Sequence, residues 1–176
     1  MPAASRLPRV PFVVAVDTRE QRPFRFRGIE CQTQTLQAGD YSVVGLEHVV
    51  ACERKSLEDY FGCLTDGRER FENSLHRLAA VRYPLVVLEC STQDLFRTFT
   101  YVAAGGIQTD SQVDPQVACA SLLSWQTRYR IPFLPCGDRQ GAARLTLQHL
   151  DLIWRMHNDG LAGDHAGIEL VRAPLP

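Results

Sequence analysis

The sequence is nearly devoid of lysine: of its 19 basic residues only Lys55 is one, and the other 18 are arginines. A guanidinium does not give up its proton in a protein, so ammonium chemistry is confined to that one position. Long apolar runs are also missing. The run from Pro11 to Val16 is too short for a secretory core, and nothing later approaches the roughly 20 apolar residues a helical membrane span requires. The expectation is a soluble intracellular protein, cytoplasmic or nucleoid-associated in a bacterium, with no membrane partner. The six cysteines (Cys31, Cys52, Cys63, Cys90, Cys119 and Cys136) include no CxxC pair. Reduced thiols are therefore expected, with no disulfide framework or zinc cluster. No nucleophile elbow or Ser/His/Asp arrangement is present, which argues against a serine hydrolase. The five histidines stand alone, and His76 and His149 fall near apolar helix faces, where a structural role is expected.

Charge of either sign is not in excess. The net charge is −1, so bulk electrostatics do not announce a nucleic-acid partner. The distribution is more telling. Arg19, Arg22, Arg25 and Arg27 form one basic cluster, and Arg54, Lys55, Arg68, Arg70, Arg77 and Arg82 another. Either is suited to phosphate contacts, and either also fits a solvated face of mixed charge.

The length of 176 residues favours one domain with a full core. Residues 1 to 11 are expected to be a flexible arm, 12 to 157 the domain, and 158 to 176 a loosely ordered tail. The β-branched run Phe12 to Val16 predicts a buried strand, and Gln32 to Gln37 a weaker one. Asp40 to Val44 and His48 to Arg54, joined through Gly45-Leu46-Glu47, read as a β-hairpin. Ser56 with Asp59 three residues later has capping-box spacing and opens a short helix to about Leu64. Asp66-Gly67 starts a longer helix in which Phe71, Leu75, Leu78 and Ala79 share a face. Pro84 to Cys90 is apolar enough for a central strand covered on both sides. A short helix is expected from Thr92 to about Phe99, and a loop from Thr100 to Asp114. Further on, Pro115 opens a helix to about Tyr129, Ile131 to Pro135 is a strand, and Asp138 caps a long final helix carrying Ala142, Leu145, Ile153 and Met156 at helical spacing. Strands alternating with helices after an initial hairpin predict a three-layer α/β domain with a central mixed sheet flanked by helices.

The hairpin carries the chemistry. Side chains alternate along a strand, so Glu53 and Lys55 share a face and Arg54 points away. Asp40 begins the partner strand, and the hairpin brings its carboxylate toward Glu53. Two carboxylates and an amine at one sheet edge suit a divalent metal and a phosphodiester. Hard oxygen ligands hold Mg²⁺, and an ammonium nearby can orient water or stabilise phosphate charge. Asp17, followed by Arg19 and Glu20, adds charged groups at a second strand end. Glu89, at the end of a buried run, needs a partner and suits either the site or a structural ion pair. Arg68 and Arg70 flank a helix start, where they are candidate DNA contacts.

These residues resemble the nuclease domain of the XPF (ERCC4-type) family of structure-specific DNA endonucleases. The matching pieces are Val16-Asp17-Thr18-Arg19-Glu20, Gly39-Asp40-Tyr41, and Glu53-Arg54-Lys55-Ser56-Leu57-Glu58-Asp59, followed by Gly67-Arg68 and the strand Val86 to Cys90. The likeness spans roughly residues 12 to 157. It implies a restriction-endonuclease-like fold, Mg²⁺ or Mn²⁺ as cofactor, and cleavage of branched or flapped DNA. It implies Asp40 and Glu53 as metal ligands with Asp17 close by, Lys55 as the catalytic lysine, and Arg19, Glu20, Arg54 and Asp59 as supporting site residues. Relatives usually carry a tandem helix-hairpin-helix module after this domain, and many a helicase domain before it. Neither is recognisable in these residues, so selectivity for DNA structure is expected from a partner protein, a homodimer or the Thr100 to Asp114 segment. The competing reading is a non-catalytic DNA-binding or scaffolding subunit; such degenerate relatives typically lose the acidic and lysine positions, all of which are present here.

Overall fold

The computed structural model describes residues 10–98, 100–102, 108–111 and 113–158. The expected arm and tail fall almost wholly outside these. Strand β1 (Val14–Asp17) is followed by β2 (Cys31–Gln34), β3 (Tyr41–Val43) and β4 (Val50–Ser56). Helices α1 (Leu57–Gly62) and α2 (Arg68–Ala79) lead to β5 (Tyr83–Glu89). A 3₁₀ helix (Thr92–Phe96) and the short strands β6 (Thr100–Val102) and β7 (Gln108–Asp110) precede α3 (Pro115–Tyr129), β8 (Phe133–Pro135) and α4 (Arg139–Asn158).

Six strands form one mixed sheet in the order β2-β1-β3-β4-β5-β8. β1 runs parallel to β2 and antiparallel to β3, β3 is antiparallel to β4, and β4, β5 and β8 are mutually parallel neighbours. The expected hairpin is the β3–β4 pair, registered through Tyr41 opposite Cys52. The segment expected to be a loop from Thr100 instead contains a two-stranded antiparallel ribbon of β6 and β7. Three-residue strands around glycines carry too little periodic signal to be read from sequence. The helix expected after Ser91 is tighter than an α-helix, a 3₁₀ turn closed by a reciprocal box between Ser91 and Asp94.

Strand parity sorts the core into two layers. Leu85 and Val87 of β5, with Val50 and Cys52 of β4 and Tyr41 of β3, pack against Ala142, Leu147, Leu150 and Ile153 of α4. Val86 and Leu88, with Ala51, pack against α1, α2 and α3 through Tyr60, Phe71, Leu75 and Trp125. Helices thus cover both sheet faces, giving an α/β domain of three layers. Trp125, wholly buried, organises the second layer. It meets Phe71 edge-on at 5.0 Å and stacks on Phe133 at 6.5 Å, and its indole N–H donates to Glu72 at 2.9 Å.

Candidate active site

The parity that sorts the core also sorts the charges. Asp17, Asp40, Glu53 and Lys55 lie on the α1–α3 side at the end of the sheet where β1 finishes and β3 begins. Arg54 lies on the α4 side. A pocket of about 170 Å³ opens there, lined by Asp17, Arg19, residues 37–40 and Glu53 from the sheet side and by Ser74 and Arg77 of α2.

Asp40 is held by backbone on both sides. Its N–H donates to Cys52 O at 2.8 Å and its carbonyl accepts from Asp17 N–H at 2.9 Å. One carboxylate oxygen, Oδ2, accepts from the Arg54 N–H at 2.7 Å. Gly39 makes this approach possible. Its φ is +72°, and a Cβ there would sit 2.8 Å from Cys52 O, closer than real Cβ atoms come to a carbonyl. Burial pushes the Asp40 carboxyl up, and repulsion from Glu53 pushes it further, to about 8. Two carboxylates facing one another without enough positive charge between them behave in this way.

Glu53 is buried and accepts from Lys55 Nζ at 2.7 Å through Oε1. Burial alone would lower the Lys55 ammonium's affinity for its proton. The Glu53 charge and hydrogen bond outweigh it and hold Lys55 well above its ordinary range. The ammonium also lies 5.1 Å from the centre of the Phe71 ring, a favourable cation–π placement.

Asp17 is committed. Oδ1 accepts from Arg19 N–H (2.8 Å) and Nε (2.7 Å), and Oδ2 from Arg19 Nη2 (3.0 Å) and the Leu36 N–H (2.7 Å). Burial raises this carboxyl, but the Arg19 side chain and the two backbone donors outweigh burial and hold it below the usual range. Arg19 closes the turn by donating to Leu36 O at 2.7 Å.

The remaining candidates lie elsewhere. Arg54 runs behind the sheet, bidentate to Glu89 at 2.6 and 3.2 Å, with Glu20 3.4 Å from its other terminal nitrogen. Arg139, at the start of α4, adds a 2.7 Å contact to Glu89 and donates to the Arg22 and Pro23 carbonyls. Glu20 and Arg54 therefore belong to a buried ion network under β4, and Glu89 to the structural side of its two expected roles. Asp59 sits exposed at the start of α1. Its N–H donates to Ser56 Oγ at 3.1 Å, and its carboxylate accepts from the same hydroxyl at 2.7 Å. The cap is thus hydroxyl-centred, with one arm of the expected box. Arg68 is engaged with Glu72 at 3.1 Å and covers the Trp125 ring at 5.1 Å. Arg70 is exposed and does not line the pocket. Ser74 and Gln37 escaped the sequence reading, and Arg77 entered it only as one of a basic cluster. The signal was present for the α2 pair, since positions i and i+3 of a helix are neighbours beside the Phe71–Leu75–Leu78 stripe.

Among the described residues no group of three or more His, Cys, Asp or Glu side chains is arranged as a metal cage. The donors present nonetheless suit a hard divalent ion. Among the described residues Oδ1 of Asp40 and Oε2 of Glu53 have no hydrogen-bond donor on them, and Mg²⁺ is commonly held by one or two carboxylates with waters completing its shell.

A six-stranded mixed sheet flanked by helices, with a carboxylate-bearing pocket at the end of its inner strands, defines a restriction-endonuclease-like α/β domain. The ERCC4 domain model matches residues 16–148, and the chain belongs to that family. Among solved structures it is similar to XPF from Aeropyrum pernix, with 22% identity and a TM-score of 0.60, over 85% of this chain and 69% of that one. It is also similar to XPF from Aeropyrum pernix in complex with DNA, with 21% identity and a TM-score of 0.57, over 83% of this chain and 66% of that one. At these identities the likeness is one of fold. No curated protein sequence matches the chain significantly.

Proposed function

We propose that the chain is a metal-dependent DNA endonuclease that hydrolyses phosphodiester bonds in branched or flapped duplex DNA during repair or recombination. The observation that carries this reading is the pair Asp40 and Glu53. They face one pocket, each has an oxygen with no donor among the described residues, and burial together with their mutual repulsion lifts Asp40 to about 8. A divalent cation relieves that repulsion, and few other ligands would. Membership of the ERCC4 family and the DNA complex of the similar Aeropyrum pernix protein support the substrate.

Asp40 and Glu53 would hold Mg²⁺ or Mn²⁺, which when bound polarises a phosphoryl oxygen and lowers the pKa of a bound water. Lys55 stays protonated beside Glu53. Its part is to orient that carboxylate and to offset charge developing on the phosphate, as opposed to taking a proton. Asp17, with four donors on its two oxygens, orients Arg19 and the Leu36 turn; direct ligation by Asp17 would require it to release Arg19. Arg54 and Glu20 fix β4 from behind, and Asp59 fixes the junction of β4 with α1 one turn beyond Lys55.

The test is cleavage of labelled flap, fork and plain duplex DNA with Mg²⁺ or Mn²⁺ by the wild type, Asp40→Ala and Lys55→Ala. Metal-dependent cutting lost in both variants is the expected result. DNA binding without cutting, retained by both, would instead support a non-catalytic scaffolding subunit.

A further inference from the structure

The pocket has two walls, and only one has been given work. The sheet wall carries the carboxylates. The helix wall carries Ser74 and Arg77, one turn apart on α2. Two guanidiniums line the pocket. Arg19 is tied through Nε and Nη2 to Asp17 and the Leu36 carbonyl. Arg77 is held by a single contact, its Nη2 donating to Ser74 Oγ at 3.0 Å, while that hydroxyl donates to Arg70 O at 3.3 Å. Among the described residues Arg77 forms no salt bridge, although Asp40 and Glu53 line the same cavity. An exposed guanidinium across a cleft from two carboxylates, yet not collapsed onto them, leaves a gap between unlike charges.

Asp40 and Glu53 would hold a cation on the sheet wall, and a phosphodiester drawn to that charge would leave an anionic oxygen for the helix wall to meet. A guanidinium presents a planar fork of donors to that oxygen, and its charge balances the anion. We infer that Arg77 grips the scissile phosphodiester of the DNA substrate from α2, opposite Asp40 and Glu53, with Ser74 as the residue that positions it. This rests on the nuclease reading above for the nature of the substrate. It also relocates the phosphate contact from Arg68, which is engaged with Glu72 and Trp125, to a residue about two and a half turns further along the same helix.

The experiment pairs fluorescence anisotropy on labelled flap DNA, titrated with salt in Ca²⁺, with cleavage in Mg²⁺. It compares the full-length wild type with Arg77→Ala, Arg77→Lys, Ser74→Ala and, as a control on the opposite helix, Arg144→Ala. Loss of one phosphate contact weakens binding by roughly tenfold and lowers the slope of log affinity against log salt by about one. Arg77→Ala is expected to show both effects. Arg77→Lys should restore the slope and only part of the affinity, Ser74→Ala should weaken binding with the slope kept, and Arg144→Ala should match the wild type. Wild-type affinity, slope and cleavage in Arg77→Ala would overturn the inference. Binding that depends on Arg77 in a wild type that cuts nothing would refute the nuclease reading and leave the phosphate grip standing. A wild type that binds no DNA would overturn both.

Discussion

The main-chain N–H of Arg54 donates to Asp40 Oδ2 at 2.7 Å, so the strand that supplies Glu53 and Lys55 also fixes one oxygen of the neighbouring aspartate. The other oxygen has no donor among the described residues. Asp40 thereby becomes a buried acid whose charge the folded protein tolerates poorly, with a carboxyl pushed up by burial and by Glu53 to about 8.

That shift has a definite sign. The folded chain holds the Asp40 proton more tightly than the unfolded chain, whose carboxyl titrates near 3.8. Stability from this group is complete below the unfolded value and is lost as pH rises toward 8. Metal-free protein should melt at a lower temperature at pH 8 than at pH 6, and Mg²⁺ should raise the melting point more at pH 8. Asp40→Asn should melt roughly 5 °C above the metal-free wild type at pH 8, ignore Mg²⁺ and cut no DNA. Thermal melts with and without Mg²⁺ decide it; a variant less stable than wild type at pH 8 would contradict the account.

Lys55 occupies a slot made for an ammonium, 2.7 Å from Glu53 and 5.1 Å from the Phe71 ring centre. A guanidinium is broader and planar. In Lys55→Arg the charge is kept while its position shifts, and cleavage should fall by about a hundredfold with the fold intact by circular dichroism. Full activity in this variant would mean that charge alone suffices.

The network behind the sheet sets a different expectation. Glu89 is the sole carboxylate bonded to both Arg54 and Arg139 among the described residues, and Arg54 and Glu89 side chains are 7% and 10% exposed. Glu89→Ala leaves the buried Arg54 with only the 3.4 Å contact to Glu20 and Arg139 with only the Arg22 and Pro23 carbonyls, and should cost about 3 kcal/mol. Arg139→Ala leaves the Arg54–Glu89 pair in place and removes a half-exposed charge, so it should cost about 1 kcal/mol. Urea unfolding of the two variants compares these costs directly, and equal losses would show that the network does not centre on Glu89.

His149 gives an acid-side dependence. Burial lowers its basicity, and the ring lies with Nε2 3.2 Å from Tyr83 O. The unfolded chain takes up this proton near 6.5 while the folded chain resists it, so the contribution is complete above that pH and is lost as pH falls. Between pH 7 and 5 the melting temperature should drop less in His149→Gln than in wild type. Identical slopes would place the acid sensitivity elsewhere.

What the sequence revealed and what it withheld divide along a physical line. Glu53 and Lys55 on one face with Arg54 on the other follow from the two-residue period of a strand, and the antiparallel pairing of β3 with β4 follows from a short connection. Such rules act within a few residues. The contact of Arg68 with Trp125 was not legible because the two lie 57 positions apart, and only the docking of α3 on α2 brings them together. Ser74 and Arg77 reach the pocket through the same kind of long-range packing, that of Phe71, Leu75 and Leu78 of α2 against the sheet. The β6–β7 ribbon was hidden because its strands are three residues long.

Gly39 carries a lesson for reading distant relatives. Any side chain there must displace the Cys52 carbonyl, which accepts from the Asp40 amide, and so must separate the two strands that bear the acids. A relative could keep every acid and the lysine and still be inert because this glycine had been replaced. Divergence at an achiral position, with no functional group to lose, would then mark a dead enzyme sooner than divergence among the carboxylates.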